Sequence, residues 1–355
     1  MTRQPTENDV LTLLALLRSE ASDDVASIMF DDLVWSVSRL DERFRSKVLV
    51  HAAAIMGSRW LDAERAKDIF DQLDRWQVSR SVDFALVTVK EREFDAAKVA
   101  LGVDLRREPD YSARGAYFFD VEVAREGQPP LKGIITKCGT AGNSRMAAFL
   151  HTVFSTYEVR LCCLVGMAAG HSGQVRLGDV VFGDKIIDTG RGISTTRGYE
   201  PDPASLDPDL RIAREMTSFR PERLGWHDLI AKEVAAATAD LDDLQVPELF
   251  DPATYRPRLI LKTIQAKDEL VEDGRVGRRA RWFGPERRTG ALEMEGAGFA
   301  VTCDEQAVPW MVMRGIADFG EPDRVKDWQF VSTVAATTAV KLWLKSCRFM
   351  QDRRN

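Results

Sequence analysis

From Val82 onward the chain alternates short apolar, β-branched runs with charged or amphipathic helical stretches. That alternation constrains the fold more than any other feature. Val82-Asp-Phe-Ala-Leu-Val-Thr-Val89 reads as a strand, and a charged helix follows from Glu91. Gly115 to Ala124 and Leu131 to Cys138 form the arms of a hairpin around Glu126-Gly-Gln-Pro-Pro130. A helix from about Ser144 leads into a strand over Val159 to Val165, and Asp179-Val-Val-Phe182, Arg258 to Ile264 and Trp310 to Met313 continue the sheet. Strands interleaved with helices predict an α/β fold, a mainly parallel twisted sheet flanked by helices on both faces. Ligands in such sheets bind outside the carboxyl ends of the strands. Residues just beyond each strand are therefore the first candidates for chemistry.

Residues 1 to about 80 have a different character. Val10, Leu13, Leu14 and Leu17 form an i, i+3, i+4, i+7 stripe behind Thr6 as N-cap. Further helices are expected from Asp24 to Val37, from Asp41 to Ile55, and after Asp62 with Ile69, Leu73 and Trp76 on one face. Short connections favour a small all-α helical bundle. Two domains result, a helical module over 1–80 and an α/β domain over 82–350. Within the second, Tyr199 to Pro208 is rich in proline and aspartate and reads as a loop. Helices are expected after it, near Leu210 to Phe219 and Trp226 to Leu241.

Composition excludes several classes. A formal net charge of -6 argues against a general nucleic-acid binder. No apolar stretch approaches the ~18 residues of a membrane helix, and the N-terminus has no signal-peptide core. The five cysteines are scattered without a Cys-x-x-Cys pair and read as reduced thiols, which fits a cytoplasmic protein. With four histidines and no carboxylate pattern of ligand spacing, neither a metal nor a cofactor is expected.

Two motifs carry the functional reading. Ala291-Leu-Glu-Met-Glu-Gly-Ala-Gly298 places an acidic turn at the start of a helix. Val312-Met-Arg-Gly-Ile-Ala-Asp-Phe319 then gives a strand followed by an arginine, a small-residue step and a carboxylate. That order resembles the nucleoside phosphorylase and methylthioadenosine/adenosylhomocysteine nucleosidase superfamily, whose enzymes cut the bond between ribose and base. The resemblance implies that Glu295 clamps the ribose 2′- and 3′-hydroxyls with Met294 against the sugar, and that Asp318 protonates the leaving purine at N7. Ala317 stands where the family usually has serine. Val87-Thr-Val-Lys-Glu-Arg-Glu-Phe94 resembles the first strand of the nucleosidases, which places the water-activating carboxylate at Glu93. The ordinary alternative is that Glu91 and Glu93 only complement the helix dipole. Val165-Gly-Met-Ala-Ala-Gly-His171 resembles the family's glycine-rich turn, bringing Gly166, Met167 and Ala168 against the nucleoside. Cys138-Gly-Thr-Ala-Gly-Asn143 is similar to a second such loop. Ala266 to Asp273 resembles the segment whose backbone meets the base, with Leu270 and Val271 nearest it.

This set suits glycosidic hydrolysis, which needs a protonated acid for the leaving base and a carboxylate to activate water. Family phosphorylases hold phosphate near the position of Glu93 with arginine, and a carboxylate there repels the anion. Water is the expected acceptor. Arg275, Arg278, Arg279, Arg281, Arg287 and Arg288, with Arg191 and Arg197, form either a solvated charged surface or contacts to a 5′-phosphate chain. Among these, Arg191, Arg197 and Arg278 are the candidates for substrate binding. The whole arrangement is similar to bacterial antiphage effectors that join a helical partner-binding module to a toxic enzyme. It implies a homo-oligomeric N-ribosidase acting on an adenine nucleotide (ATP or AMP), with a regulatory protein partner for the N-terminal helices. The competing readings are a phosphorylase, a salvage nucleosidase and a non-catalytic nucleotide sensor.

Overall fold

The computed structural model describes residues 80–196, 198–240, 244–248, 250–270, 288–321 and 326–351. Apart from Arg80 these belong to the unit Ser81–Asn355. The helical module expected over 1–80 lies outside the described residues, save Arg80. So do Arg197, Val271, Arg275, Arg278, Arg279, Arg281 and Arg287.

The strands are β1 (Arg80–Val82), β2 (Phe84–Thr88), β3 (Tyr111–Ala113), β4 (Ala116–Arg125), β5 (Gln128–Lys137), β6 (Tyr157–Val159) and β7 (Cys162–Gly170). They continue with β8 (Val180–Asp188), β9 (Gly192–Thr195), β10 (Gly198–Pro201), β11 (Ala204–Leu206), β12 (Leu259–Ala266), β13 (Thr289–Glu293) and β14 (Trp310–Asp318). The helices are α1 (Glu91–Leu101), α2 (Asn143–Thr156), α3 (Leu210–Ser218), α4 (Trp226–Asp240), α5 (Gly296–Glu305) and α6 (Trp328–Ser346).

The main sheet runs β11-β8-β12-β13-β7-β2-β5-β4-β3, and β14 pairs with both β7 and β8. Its centre is parallel: β2 with β5 and β7, β7 with β14, and β12 with β8 and β13. Antiparallel ladders join β4 to β5, β3 to β4, β11 to β8, β13 to β7 and β14 to β8. Five strands thereby close on themselves, in the order β7-β14-β8-β12-β13 and back to β7.

The apolar runs follow from coverage on both faces. Along β2, Leu86 joins one core with Phe94 of α1, Trp226 of α4 and Val334 of α6, while Ala85 and Val87 join another with Leu150 of α2 and Phe299 of α5. Successive side chains point to opposite faces, so a strand buried on both must be apolar throughout. The same alternation sends Cys162 and Cys163 into different cores, and all five cysteines are free. No described helix is long and apolar enough to cross a membrane.

Three local expectations differ from the structure. The Gly166–Gly170 stretch is the end of β7, not a turn, because its backbone pairs with β14 and β13. The segment read as a loop over Tyr199 to Pro208 contains β10 and β11, where pairing with β9 and β8 overrides the proline and aspartate content. Strand β14 extends past Met313 to Asp318, carried by its ladder with β7.

Candidate active site

Glu93 is the third residue of α1, immediately after β2. Its Oε2 accepts from the N–H groups of Val89 (3.0 Å) and Lys90 (2.7 Å), and its Oε1 from Met167 N–H at 2.8 Å. Three backbone donors on two elements thus fix a carboxylate that is only 2 % exposed. A carboxylate that merely complemented the helix dipole would need no donor from β7.

Opposite it lies Arg314, fully buried on β14 and in register with Gly166 of β7. Its guanidinium bonds Glu293 and Glu295, the latter at 3.1 Å, and lies 3.8 Å from Glu93 Oε1. Glu293 also accepts the N–H groups of Glu295 and Gly296, so the end of β13 anchors the start of α5. Glu295 Oε1 accepts Gly142 N–H at 3.2 Å, from the loop before α2 where Gly142 holds φ 119°. That positive φ is a glycine conformation, which gives the Cys138–Asn143 motif a direct part in holding the site.

One guanidinium therefore serves three buried carboxylates. Burial, aided by the charges of Glu293 and Glu93 and opposed by Arg314, raises the pKa of Glu295 from 4.5 to about 7. The folded state consequently holds this proton more tightly than the unfolded chain between those values. Stability contributed by Glu295 falls as pH rises through that window. Thermal melts at pH 5 and pH 8 are expected to show the drop in the wild-type chain, and Glu295→Gln to flatten it; an unchanged slope would assign the drop elsewhere.

Glu93, Glu293, Glu295, Met294, Met167, Ala168, Leu270 and Asp318 line one cavity of about 560 Å³. Asp318, at the last position of β14, accepts Gly320 N–H at 2.7 Å. Gly166 lies behind the cavity wall. A Cβ at that position would strike Glu93 Oε1 and Arg314 Nη1. Gly166→Ala is expected to displace both groups and reduce turnover at least tenfold, since misplacement of the order of 1 Å in such sites has about 10²-fold effects; wild-type activity would show that the two groups can shift harmlessly. Arg191, by contrast, is exposed and does not line the cavity.

Two residues of this constellation had no role assigned from sequence, Arg314 and Glu293. The signal was present. An arginine inside the apolar run Val312 to Ile316 must be buried with partners, and the first glutamate of Glu-Met-Glu stands where a carboxylate can accept the free N–H groups at the start of the next helix. Among the described residues, no group of three or more His, Cys, Asp or Glu side chains has the arrangement to hold a metal ion.

The sequence pattern of the Phosphorylase superfamily matches residues 130–347, more than half of the 355-residue chain. The chain belongs to the phosphorylase superfamily. The superfamily match takes in Glu293, Glu295, Arg314 and Asp318, whereas β2 and Glu93 precede it. Over 263 residues the chain is 23% identical to the ATP nucleosidase Cap17 of Escherichia coli (strain KTE188), covering 73% of this chain and 50% of that protein. It thus spans about half the length of the ATP nucleosidases it matches. It is 28% identical over 192 residues to the 5′-methylthioadenosine/S-adenosylhomocysteine nucleosidase of Mycobacterium bovis, covering 52% of this chain and 69% of that protein. Among solved structures, a nucleosidase of the same description from Colwellia psychrerythraea, in complex with adenine, aligns with a TM-score of 0.52 at 18% identity, covering 75% of this chain and 96% of that one. The Helicobacter pylori nucleosidase aligns at 0.51 and 15%, covering 74% and 97%. At such identities these likenesses establish the superfamily fold.

Proposed function

We propose that this phosphorylase-superfamily chain is an N-ribosidase that hydrolyses the N-glycosidic bond of a purine nucleoside or nucleotide, with an adenine nucleotide (ATP or AMP) as its substrate. The observation that carries this reading is the tethering of Glu93 by Val89, Lys90 and Met167 N–H groups, in one cavity with Glu295 and Asp318. In the proposed reaction, Glu93 accepts a proton from water as its oxygen bonds C1′ of the ribose. The bond from C1′ to the base nitrogen breaks, and Asp318 delivers a proton to N7 of the departing purine. Glu295 accepts hydrogen bonds from the ribose hydroxyls, beside Met294. Development of positive charge on the sugar is favoured above a floor of three carboxylates. The same floor disfavours a phosphate nucleophile, because its one guanidinium is already shared among those carboxylates.

The names of the relatives, an ATP nucleosidase and a nucleosidase of thio-substituted adenosines, support cleavage of this bond. The proposal includes a role as a regulated bacterial defence effector, a protein partner for the N-terminal helices, and a homo-oligomer expected from the family resemblance. The test is chromatographic detection of free base from ATP, AMP, adenosine and methylthioadenosine in phosphate-free buffer. Base release from ATP or AMP supports the nucleotide reading. Release confined to uncharged nucleosides would replace it with salvage, and a strict phosphate requirement would overturn hydrolysis.

A further inference from the structure

The cavity is electrostatically divided. Its buried acids, Glu93, Glu293 and Glu295, have side chains only 3%, 2% and 8% exposed and form the floor, with the half-buried Asp318 also in the lining. Its cations lie at the mouth. Lys90 and Lys326 are exposed and Arg92 is half-buried, and all three line the cavity. The two remaining glutamates of the lining are already matched, Glu91 with Lys137 and Glu269 with Lys267. Among the described residues, Lys90, Arg92 and Lys326 form no ion pair. Arg92 Nη1 donates only to neutral oxygens, Gln245 Oε1 at 2.9 Å and the Lys326 carbonyl at 3.5 Å. That second bond ties the start of α1 to the segment leading into α6, so the cations come from two separate parts of the chain and meet at one rim. The amides of Val89 and Lys90 at this helix start are occupied by Glu93. An anion arriving there would therefore be held by side-chain charge.

We infer that Lys90, Arg92 and Lys326 form a phosphate-binding rim that takes the phosphate chain of a nucleotide whose ribose rests on the carboxylate floor. This deepens, and rests on, the reading of the cavity as an N-ribosidase site. The division gives the substrate a single orientation. Phosphates at the floor would face three carboxylates, whereas at the rim they meet three cations that form no ion pair among the described residues. It also separates the rim from the nucleophile. An inorganic phosphate on exposed Lys90 and Lys326 lies at the mouth, while the reacting end lies against buried Glu93. The rim differs from the sites suggested by sequence, since Arg191 does not reach the cavity.

The test uses the full chain and the triple variant Lys90→Gln/Arg92→Gln/Lys326→Gln, whose positions are solvent-facing enough for the fold to be retained, as circular dichroism would verify. Binding of ATP and of adenosine is measured calorimetrically, alongside base release with and without inorganic phosphate. The wild-type chain is expected to bind ATP more tightly than adenosine. The triple variant is expected to lose at least about tenfold in ATP affinity, with adenosine changed less than about threefold. Equal losses for both ligands, or none for either, would overturn the rim. So would phosphate-stimulated base release that disappears in the variant, because the cations would then hold the attacking anion. An ATP preference lost in the variant without base release from any substrate would support the rim and refute the N-ribosidase. Base release from adenosine with no nucleotide preference would do the reverse.

Discussion

With Glu93 replaced by alanine, base release is expected to fall by about 10²- to 10⁴-fold, the range for loss of a positioned general base, while the chain still folds. The fold survives because the carboxylate is not part of either core, and the vacated space beside the cavity admits water to the Val89, Lys90 and Met167 N–H groups. Turnover is not expected to survive, because under the proposed reaction the attacking water would lose the group that takes its proton. Asp318→Asn should give a loss of the same order from the other side of the bond. In the proposed reaction the two residues act on one transition state, so the double variant should be little worse than the poorer single one. Single-turnover release of adenine, quantified by chromatography, measures all three. Wild-type rates in Glu93→Ala would show that water is activated elsewhere.

Arg314→Leu is expected to destabilise the protein by about 3–5 kcal/mol, the penalty for removing one partner from a buried ion cluster. The guanidinium is wholly buried and is the cation shared by Glu93, Glu293 and Glu295. Without it the three carboxylates face one another with no counter-charge. Leucine replaces the volume but not the charge. Arg314 is also the largest of the interactions that lower the pKa of Glu295 against its burial, the Gly142 N–H being the other. Its loss drives that pKa further up, so the deficit of the variant should be larger at pH 8 than at pH 5. Adding Glu293→Gln should restore part of the stability by removing one of the repelling charges. Urea unfolding at the two pH values would decide the matter. A variant as stable as the wild type at pH 8 would show that the three carboxylates do not depend on Arg314 as their counter-charge.

Much of this was legible in the sequence because it is local. The strand-to-helix rhythm, the hairpin at Glu126-Gly127 and the strand-end positions of Glu93, Glu295 and Asp318 depend on short-range pattern, and the structure brings all three acids to one cavity. What could not be read depends on register between distant segments. Gly166 appears as part of a glycine-rich turn until β14 is placed beside β7, when its missing side chain becomes the space shared by Glu93 and Arg314. Lys326 follows Asp318 by eight positions and carries no pattern of its own, yet its carbonyl meets Arg92 from the opposite end of the domain. The short strands β10 and β11 defeat a composition argument because only backbone pairing defines them. Motif reasoning finds the acids of the cavity; it passes over the glycine that leaves them room and the counter-ion that offsets their charge.

The closed ring of β7, β14, β8, β12 and β13 has a consequence for how the molecule breathes. At Arg314, β14 is bonded to Gly166 of β7 on one side and paired with Val181 of β8 on the other. Closure leaves no edge from which this stretch can peel, so its amides exchange with solvent only when the ring itself opens, close to the free energy of global unfolding. Leu270 and Lys326 stand in connections outside the ring. The counter-ion therefore rides on the slowest-opening part of the protein, and the cavity-lining residues of the connections do not. Changes in the connections can retune what enters the cavity without loosening the frame that holds its buried acids.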